Sequence, residues 1–474
     1  MTDTTNFVQN SQAITSDLNF QLKPSGVRSR SYRASILPTN KTTFSPTDTC
    51  IVYIPGGRRN TYLDCNQSYM RITIKNTDTT ATTTFRLDNN AACVINRLDV
   101  FHGGNLLETI QSYNILATYI FDMQASESEK KGYANIYGFN SDTIATALAA
   151  QNGYTQNDLY PVTVSSAAGD RAGCQIVKDA SRTFCLPIFS GVCGVLADKM
   201  LPIGLLSDDI RLEITFESSI LALVSASATA NYLITDFQLE MTIVELSDEG
   251  ESMVRGSYSY PETPLYLHGA SWRHYMSQLP ASAGGFSTLV PARFASLKQL
   301  AVLPRRTGDQ AVQSCYALSS RINPNFQYYW FRIGSSVIPS KAVTLQGTNT
   351  GAYGEAYIEL LKAWHMCHNV NISSCLDVEY NVSDKVTDAA ASTIQGVQVA
   401  AAANTYKNGF VIAQELESFS NRNDVLLSGM NTLSSQIFFE TNIDVAPSTP
   451  YSLNFFAYYD HILVLDRGIL SVKI

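Results

Sequence analysis

Four residues in the second half of the chain have the types and the spacing of a metal site. His365 and His368 are three positions apart, Cys367 lies between them, and Cys375 follows. Imidazole and thiolate groups are the ligands that zinc prefers in proteins. On a helix, however, the two histidines share one face while Cys367 points elsewhere, and the neighbouring Trp364 indicates a helix end that faces the core. We therefore predict ordinary packing here, without a metal.

Two other segments have residues suited to chemistry, but neither has a complete set. Asp208 and Asp209 form a candidate carboxylate pair, yet adjacent strand residues point to opposite faces and cannot act on one substrate atom. Segment 55–59 (Pro-Gly-Gly-Arg-Arg) lacks the lysine and hydroxyl of a phosphate loop, which predicts a hairpin turn with exposed cations. The motifs of P-loop proteins, zinc proteases and serine hydrolases are absent from the sequence. We predict no catalytic residue, no metal and no cofactor, and hence no enzyme.

The composition restricts the class of function further. The 474 residues are 45% hydrophobic and only 16% charged, which is enough apolar material for two domains of roughly 200 residues. The net charge of −8 disfavours a protein whose main task is binding nucleic acid, because that task needs clustered cations. The nine cysteines are scattered, which predicts neither a disulfide framework nor a zinc knuckle. No secretory signal or membrane span is recognisable, so we expect folding in the cytosol.

Residues 1–45 differ from the rest of the chain. They are rich in Ser, Thr, Asn and Gln and contain few large apolar side chains. Five cations against the two carboxylates of Asp3 and Asp17 give this segment a net charge of +3. The five cations are Lys23, Arg28, Arg30, Arg33 and Lys41. This composition predicts an N-terminal arm rather than a domain.

After the arm, the same order of strand-like and helix-like patterns occurs in both halves of the chain. Alternating apolar residues predict strands at 51–54, 70–74, 94–101, 184–189, 210–216 and 232–243, and again at 287–303, 327–333, 409–413, 437–440 and 454–473. Apolar residues three and four apart predict helices at 106–121 and 354–365, which follow turns at Gly103-Gly104 and at Gly334. The repeated order predicts two tandem antiparallel sandwiches with a boundary between Asp248 and Pro264.

Several of these segments resemble those of the double jelly-roll major capsid proteins of viruses. In the first half, 184–189 (Phe-Cys-Leu-Pro-Ile-Phe) and the Leu201-Pro202 pair that precedes 210–216 resemble a late part of the first jelly roll. The second half is similar to the same proteins of polinton-like viruses, virophages and adintoviruses. The similar segments are 331–335, 338–339, 355–362, 410–417, 428–432 and 457–472. The resemblance spans about residues 45–474.

The resemblance implies an all-β fold of two tandem eight-stranded jelly rolls, each with a short inserted helix. The domains would be the arm at 1–45, a first jelly roll at 46–250 and a second at 251–474. The implied function is that of a major capsid protein, whose homotrimers form pseudo-hexagonal capsomers that tile an icosahedral virus shell. Segments 125–181 and 386–405 resemble nothing else and are expected to be variable tower loops.

The same resemblance suggests partners and a location. The expected partners are other copies of the chain, in one trimer and in neighbouring trimers, together with penton and other minor capsid proteins. The arm cations, from Lys23 to Lys41, are expected to face the shell interior and to contact genomic DNA weakly. The expected location is the virion capsid, after synthesis in the host cytoplasm.

Two alternative functions remain open on the sequence. A carbohydrate-binding or adhesin-type double β-sandwich would use loop aromatics such as Tyr154, Tyr160 and Tyr353 as its ligand platform, and the 25 tyrosines fit that class as well as they fit protein interfaces. The missing signal peptide disfavours it. A β-sandwich hydrolase would need a carboxylate or histidine constellation, which the sequence does not display.

Overall fold

The structure is a computed structural model of the chain. It describes residues 26–79, 85–139, 175–225, 227–311, 313, 316–345, 354–367, 392–394, 397–399, 409–418, 426–444, 446–447 and 449–474. Within this part of the chain, no helix combines the length and the hydrophobicity of a membrane span.

The first half of the chain is built mainly of strands. They are β1 (Ser29–Ile36), β2 (Thr49–Ile54), β3 (Thr61–Asn76), β4 (Phe85–Leu87), β5 (Ile95–His102), β6 (Asn105–Gln111), β7 (Gln175–Ile176), β8 (Ser181–Pro187), β9 (Ile210–Phe216), β10 (Leu223–Val224) and β11 (Tyr232–Leu246). The helices are α1 (Tyr113–Gln124), α2 (Glu127–Gly132), α3 (Ala134–Tyr137) and α4 (Ser219–Ala222), with 3-10 turns at Ala91–Val94 and Ile203–Leu205. Helix α5 (Asp248–Tyr258) connects the two halves.

The second half is also built mainly of strands. Its strands are β12 (Leu265–Leu279), β13 (Gly285–Val290), β14 (Leu297–Arg306), β15 (Phe326–Ile333), β16 (Ser336–Thr344), β17 (Ser392–Ile394), β18 (Val397–Val399), β19 (Ile412–Glu415), β20 (Ile437–Ile443), β21 (Tyr451–Asp466) and β22 (Ile469–Lys473). Helix α6 (Gly354–Ala363) follows β16, and a 3-10 turn occupies Gly308–Ala311.

Eight strands of each half form two facing antiparallel sheets. The first half has the strand orders β1-β11-β3-β8 and β2-β9-β5-β6, and the second half has β12-β21-β14-β19 and β13-β20-β15-β16. In both halves the first strand of the eight pairs with the last, the second with the seventh, the third with the sixth and the fourth with the fifth. This pairing defines a jelly roll. The predicted pair of eight-stranded jelly rolls is confirmed.

Alternation of side chains along the strands builds the two cores. In β9 the residues Ile210, Leu212, Ile214 and Phe216 are at most 1% exposed, whereas the residues between them are half-buried. Because side chains of a strand point alternately to the two faces, this pattern turns one face to the facing sheet and the other to the surface. Strand β20 shows the same alternation.

The turn before each inserted helix requires a residue with positive φ. Gly103, between β5 and β6, has φ of 56°, and Gly334, between β15 and β16, has φ of 58°. The helix predicted at 106–121 is wrong in its first part, because residues 105–111 form β6 and α1 begins only at Tyr113. The apolar spacing there misled because β6 has a bulge opposite Val100 and Phe101, which shifts its alternation.

The N-terminal arm is shorter than predicted. Ser29–Ile36 pairs with Leu239–Leu246 in unbroken antiparallel register and is the first of the eight strands of its jelly roll. The first jelly roll therefore begins at Ser29 and not at residue 46. The composition misled because Tyr32, Ala34 and Ile36 carry the alternation, and only one of these side chains is large and fully apolar.

Two further expectations are corrected by the sheet pairing. Segment 55–59 is not a hairpin, because β2 and β3 belong to different sheets. Residues 125–137 of a predicted tower loop contain α2 and α3, and most of the rest of that loop lies outside the described residues, as does most of 386–405. The first jelly roll thus begins with β1, and α5 links it to the second. Helices α1 and α6 hold matching places in the two jelly rolls.

Candidate functional site: the junction of the two jelly rolls

Backbone groups join the two jelly rolls at the edge of β12. Ala270 donates its N–H to the carbonyl of Leu196 at 3.3 Å, and Asp198 donates to the carbonyl of His268 at 3.4 Å. Residues 196–198 lie in the loop between β8 and β9, so the first jelly roll covers an otherwise unpaired strand edge of the second. Covering such an edge blocks unwanted strand pairing.

The backbones approach closely at this point, and glycine makes the approach possible. A Cβ placed on Gly191 would lie 2.3 Å from the carbonyl oxygen of Ala270 and equally close to the ring of His461. A Cβ on Gly269 would lie 2.7 Å from the carbonyl oxygen of Gly191. Neither position has room for a side chain, so these two glycines fix the distance between the jelly rolls.

Glu108 ties three segments together beneath this contact. It is 3% exposed, and its carboxylate accepts hydrogen bonds from the hydroxyls of Ser190 and Ser271 and, at 3.0 Å, from the N–H of Gly191. Glu108 lies on β6 and Ser271 on β12, so the bonds cross the junction. A buried carboxylate is tolerated when donors surround it in this way.

A fully buried ion pair lies deeper in the junction. Arg321 of the second jelly roll donates from Nη2 to Asp122 Oδ2 at 2.6 Å, and both side chains are 0% exposed. Asp122, on α1, also accepts from Lys130 Nζ at 2.8 Å. Desolvating both charges is costly, so such a pair contributes geometry more than net stability.

Asp88 forms a second buried link between the jelly rolls. It is 0% exposed, and it accepts hydrogen bonds from the Leu318 N–H at 2.6 Å and from the Ser319 hydroxyl. Burial raises the pKa of Asp88 to about 6, although these bonds and the nearby Arg305 oppose the rise. Burial in turn lowers the pKa of Arg305 to about 10.

Three histidines at the junction are held neutral by burial. His274 contacts Ser112 of the first jelly roll through Nδ1 at 3.4 Å and Asn454 through Nε2 at 3.1 Å. His102 Nδ1 accepts from the Leu470 N–H at 3.2 Å. Burial lowers the pKa of His274 to about 4 and also lowers the pKa of His102 and of His461. The protonation state of these histidines, and with it the stability of the junction, depends on pH.

Aromatic rings complete the junction. The Tyr119 hydroxyl accepts hydrogen bonds from Trp364 Nε1 and from Gln299 Nε2, both at 2.7 Å. Its ring meets those of Trp272 and Trp364 edge-on, with centroids 6.0 and 5.2 Å apart. Tyr119 lies on α1 and these three partners lie in the second jelly roll, so the helix inserted in the first jelly roll anchors the second.

The predicted arm cations lie away from this junction, and most are paired. Arg30 binds Glu245 at 2.8 Å, Arg33 binds Glu240 at 3.1 Å, and Lys41 binds Asp48 at 2.8 Å. Arg28 is exposed, and Lys23 lies outside the described residues. These pairs are exposed on the cation side and each contributes little to stability.

His365, one of the four residues considered as metal ligands in the sequence, lies among charged side chains. His365 Nε2 lies 3.3 Å from Glu417 and its Nδ1 lies 3.6 Å from Glu415, so three possible ligand atoms meet. Lys298 binds Glu417 at 3.2 Å. Burial alone would raise the pKa of Glu417, but hydrogen bonds from His365 and Ser428 and the charge of Lys298 lower it to about 2. The lysine supplies the positive charge of an ion-pair cluster, and the absence of a metal stays a prediction.

Of the other predicted positions, the structure compares only the two carboxylates of Asp208 and Asp209. His368 and Cys375 lie outside the described residues, as do Tyr154, Tyr160 and Tyr353. Asp209 Oδ1 accepts from the Gly56 N–H at 2.9 Å, whereas Asp208 Oδ2 accepts from the Ser207 hydroxyl at 3.3 Å. The two carboxylates thus serve different loops. The junction residues were missed because each stands alone in the sequence, at least 70 positions from its partner across the junction.

Comparison with solved structures places this arrangement among known folds. The quasi-atomic model of the PBCV-1 virus capsid matches with a TM-score of 0.56 and 9% identity, over 96% of this chain and 99% of that one. The Faustovirus major capsid protein matches with a TM-score of 0.53 and 8% identity, over 97% and 94%. The cryo-EM structure of the Sputnik virophage matches with a TM-score of 0.53 and 12% identity, over 98% and 93%. The fold is the double jelly roll of viral capsid proteins.

The resemblance noted in the sequence is thereby confirmed at the level of the fold. No protein-family model and no curated protein matches the sequence. Since the double jelly-roll matches extend over nearly the whole of both chains, the shared feature is the pair of jelly rolls with their junction, and not one domain alone.

Proposed function

We propose that the chain is a viral major capsid protein whose homotrimers form pseudo-hexagonal capsomers of an icosahedral shell. The role is structural and not enzymatic, and the location is the virion capsid after synthesis in the host cytoplasm. The proposal is supported by the match to capsid structures over nearly the full length of the chain. One feature of the junction carries the step from fold to assembly.

That feature is a contact between the two jelly rolls of one chain that two copies of the chain could repeat. Within the chain, the fifth strand of the first jelly roll, β6, and the loop at 196–198 contact the first strand of the second jelly roll, β12. Among the described residues, the corresponding elements at the two ends of the chain have exposed side chains: β16 and residues 416–418 and 426–436 on the second jelly roll, and β1 on the first. If a second copy repeats the internal contact, six jelly rolls in three chains close a ring.

Exposed apolar side chains support this use of the 416–436 loop. Leu426 is 59% exposed, Leu427 43% and Leu433 49%, and β16 adds Val337 at 40%. Exposed large apolar side chains that cluster on a surface are typical of a contact with another protein, and Leu426 and Leu427 are adjacent in the chain. Among the described residues, the outer edge of β1 pairs with no other strand, and such edges tend to associate with other strands.

The mass of the purified protein in solution tests the proposal. We expect three times the 52.0 kDa of one chain at micromolar concentration and moderate salt, and a six-lobed outline in negative stain. The double variant Leu426→Asp with Leu427→Asp is expected to be monomeric with unchanged circular dichroism, because two charges would be buried at the contact. Met253→Asp is the control, since Met253 is 65% exposed on the linker helix α5.

Two results contradict the proposal. A monomeric wild-type protein argues against the capsomer, and a trimeric leucine variant argues against this contact surface. Penton and other minor capsid proteins would be further partners of the same ring, and co-purification from assembled particles tests them.

We further propose that residues 1–28 face the shell interior and contact the genome weakly. Residues 1–28 contain the cations Lys23 and Arg28 near their C-terminal end and the carboxylates Asp3 and Asp17 before them, whereas Arg30, Arg33 and Lys41 are engaged with carboxylates. Deleting residues 2–25 removes Lys23 and leaves β1 intact, so we expect normal trimers that enclose less DNA, with a defect that shrinks as salt is raised because screening weakens the same contact in the intact protein. Full genome content in shells of the truncated protein argues against this role.

A further inference from the structure

A cavity lies on the outer face of the β13-β20-β15-β16 sheet in the second jelly roll. Its volume is about 320 Å³, and Gly285, Ser287, Tyr328, Trp330 and Glu440 contribute to its lining. These residues belong to β13, β15 and β20, so the cavity is built on three neighbouring strands. A site on strands is held more rigidly than one on loops.

Two aromatic rings form one wall of the cavity. Tyr328 and Trp330 are two positions apart on β15, which places both on the same face of the sheet. Their rings are parallel, with an interplanar angle of 14° and centroids 5.2 Å apart. Both side chains are half-buried, so the outer part of the pair remains open to solvent.

A carboxylate fixes the position of this wall. Glu440 Oε2 accepts a hydrogen bond from Trp330 Nε1 at 2.7 Å, and Oε1 accepts from Arg332 Nε at 2.9 Å. Each carboxylate oxygen has a second lone pair for a further donor. The cavity therefore combines a rigid apolar wall with hydrogen-bond acceptors and, at Ser287, a hydroxyl.

The matching positions of the first jelly roll carry different side chains. The register of its β2, β9 and β5 aligns with that of β13, β20 and β15, since Ile54, Ile210 and His102 occupy the places of Val290, Ile437 and Ile333. That alignment puts Thr49 and Ile51 at the positions of Gly285 and Ser287. It puts Arg97 and Asp99 at the positions of Tyr328 and Trp330.

We propose that this cavity binds a neutral pyranose, as a terminal sugar of a glycan. The apolar C–H face of a pyranose packs on aromatic rings, while its hydroxyls donate to carboxylate oxygens and exchange hydrogen bonds with a serine. Acidic sugars are disfavoured because their carboxylate would meet Glu440. The replacement of Thr and Ile by Gly and Ser opens the space that the ring occupies.

The site goes beyond the proposed capsid role and does not compete with it. The contact proposed between copies uses β16, the loop 416–436 and β1, whereas the cavity is built on β13, β20 and β15. Loss of sugar binding and loss of the trimer are therefore separable. The oligomeric state is measured on every variant used in the binding test.

Saturation-transfer NMR on the full chain tests the proposal. The probes are the methyl glycosides of galactose, glucose, mannose and N-acetylglucosamine, with sialic acid as the acidic comparison. We expect transfer to the ring protons of at least one neutral glycoside and none to sialic acid. The double variant Gly285→Thr with Ser287→Ile introduces the residues of the first jelly roll, and we expect it to fill the cavity and abolish the signal. A Cβ at Gly285 meets only Asn442 Oδ1, at 3.8 Å, so the strand accepts this change.

A matched variant controls for effects on the sheet. Leu289→Tyr, also taken from the matching position of the first jelly roll, lies on β13 outside the cavity lining, and we expect binding to be unchanged. Trp330→Ala is expected to weaken binding about tenfold or more, since a stacked ring contributes on the order of a kilocalorie. No transfer to any neutral glycoside, transfer that persists in the filled variant, or binding of a proline-rich peptide in place of the sugars would each overturn the proposal.

Discussion

The junction and the outer sheet faces use the same side-chain types in opposite surroundings. At the junction, Arg321 and Asp122 are 0% exposed, so the pair has been taken out of water completely. On the outer faces, Arg332 is 41% exposed where it binds Glu440, and Arg211 is 32% exposed where it binds Glu213. The comparison teaches that burial, more than contact distance, decides what an arginine contributes to stability. When the partner is removed, the unpaired charge stays buried at the junction, whereas on the outer faces water solvates it.

The outer faces also show that one contact can be built twice with its partners exchanged. In the first jelly roll, Arg211 of β9 lies 4.4 Å above the ring of Phe101 of β5. In the second, Arg332 of β15 lies 4.4 Å above the ring of Phe438 of β20. The strand pair and the position are the same, but the cation and the ring have changed strands. The fold preserves the contact and not the residue.

The largest effect is expected from breaking the buried ion pair. Arg321→Met removes a cation from the buried carboxylate of Asp122, and we expect the free energy of unfolding to fall by about 3 kcal/mol. Arg332→Met, on the outer face, is the matched control and is expected to lose less than about 1 kcal/mol. Chemical denaturation at one fixed chain concentration measures both. Equal losses in the two variants would remove the distinction between junction and surface.

A smaller effect is expected from widening the junction. Gly191→Ala places a Cβ against the backbone of Ala270, and we expect a loss of about 1–3 kcal/mol because neither backbone can retreat without moving a jelly roll. Gly256→Ala, on α5, meets nothing within 4 Å and is expected to gain up to about 1 kcal/mol from helix propensity. Thermal unfolding compares them, and a harmless Gly191→Ala would mean that the jelly rolls are not in close contact.

The neutral histidines make the junction sensitive to acid. Since the pKa of His274 is lowered from 6.5 to about 4, its contribution is present above pH 6.5 and is lost as pH falls toward 4. Between pH 7 and 5 we expect the wild type to lose about 2 kcal/mol more than His274→Gln. Asp88 acts in the opposite direction, since its pKa is raised to about 6, but it is common to both proteins and cancels in the difference. Parallel pH profiles of the two proteins would contradict the prediction.

The smallest effect is expected from exchanging the partners of the outer contact. Phe101→Arg combined with Arg211→Phe copies the arrangement of the second jelly roll into the first and keeps a cation over a ring. We expect the exchange to change stability by less than about 0.5 kcal/mol, while Arg211→Leu alone loses about 0.5–1 kcal/mol. A double variant less stable than the single one would show that the position, and not only the contact, is specified.

The alternation of apolar and polar residues was enough to predict the strands that have one buried face and one partly exposed face. The strand predicted at 210–216 has those bounds in the structure, because every second residue of β9 is buried and its neighbours are not. The helix predicted at 354–365 ends at Ala363. At β6 the same reasoning failed because a bulge interrupts the alternation, and at β1 it failed because small and charged residues hide it.

The sequence by itself determined two tandem antiparallel sandwiches, since period-two alternation and its repetition in two halves are local properties of the chain, whereas the jelly-roll order of the strands was implied only by the resemblance to capsid proteins. Only the tertiary structure decided the junction and the cavity. Asp88, Asp122 and Arg321 carry no pattern, and Trp330 meets Glu440 from 110 positions away. The physical reason is that burial and hydrogen bonding belong to pairs, and a pair exists only once the sheets have placed its two members side by side.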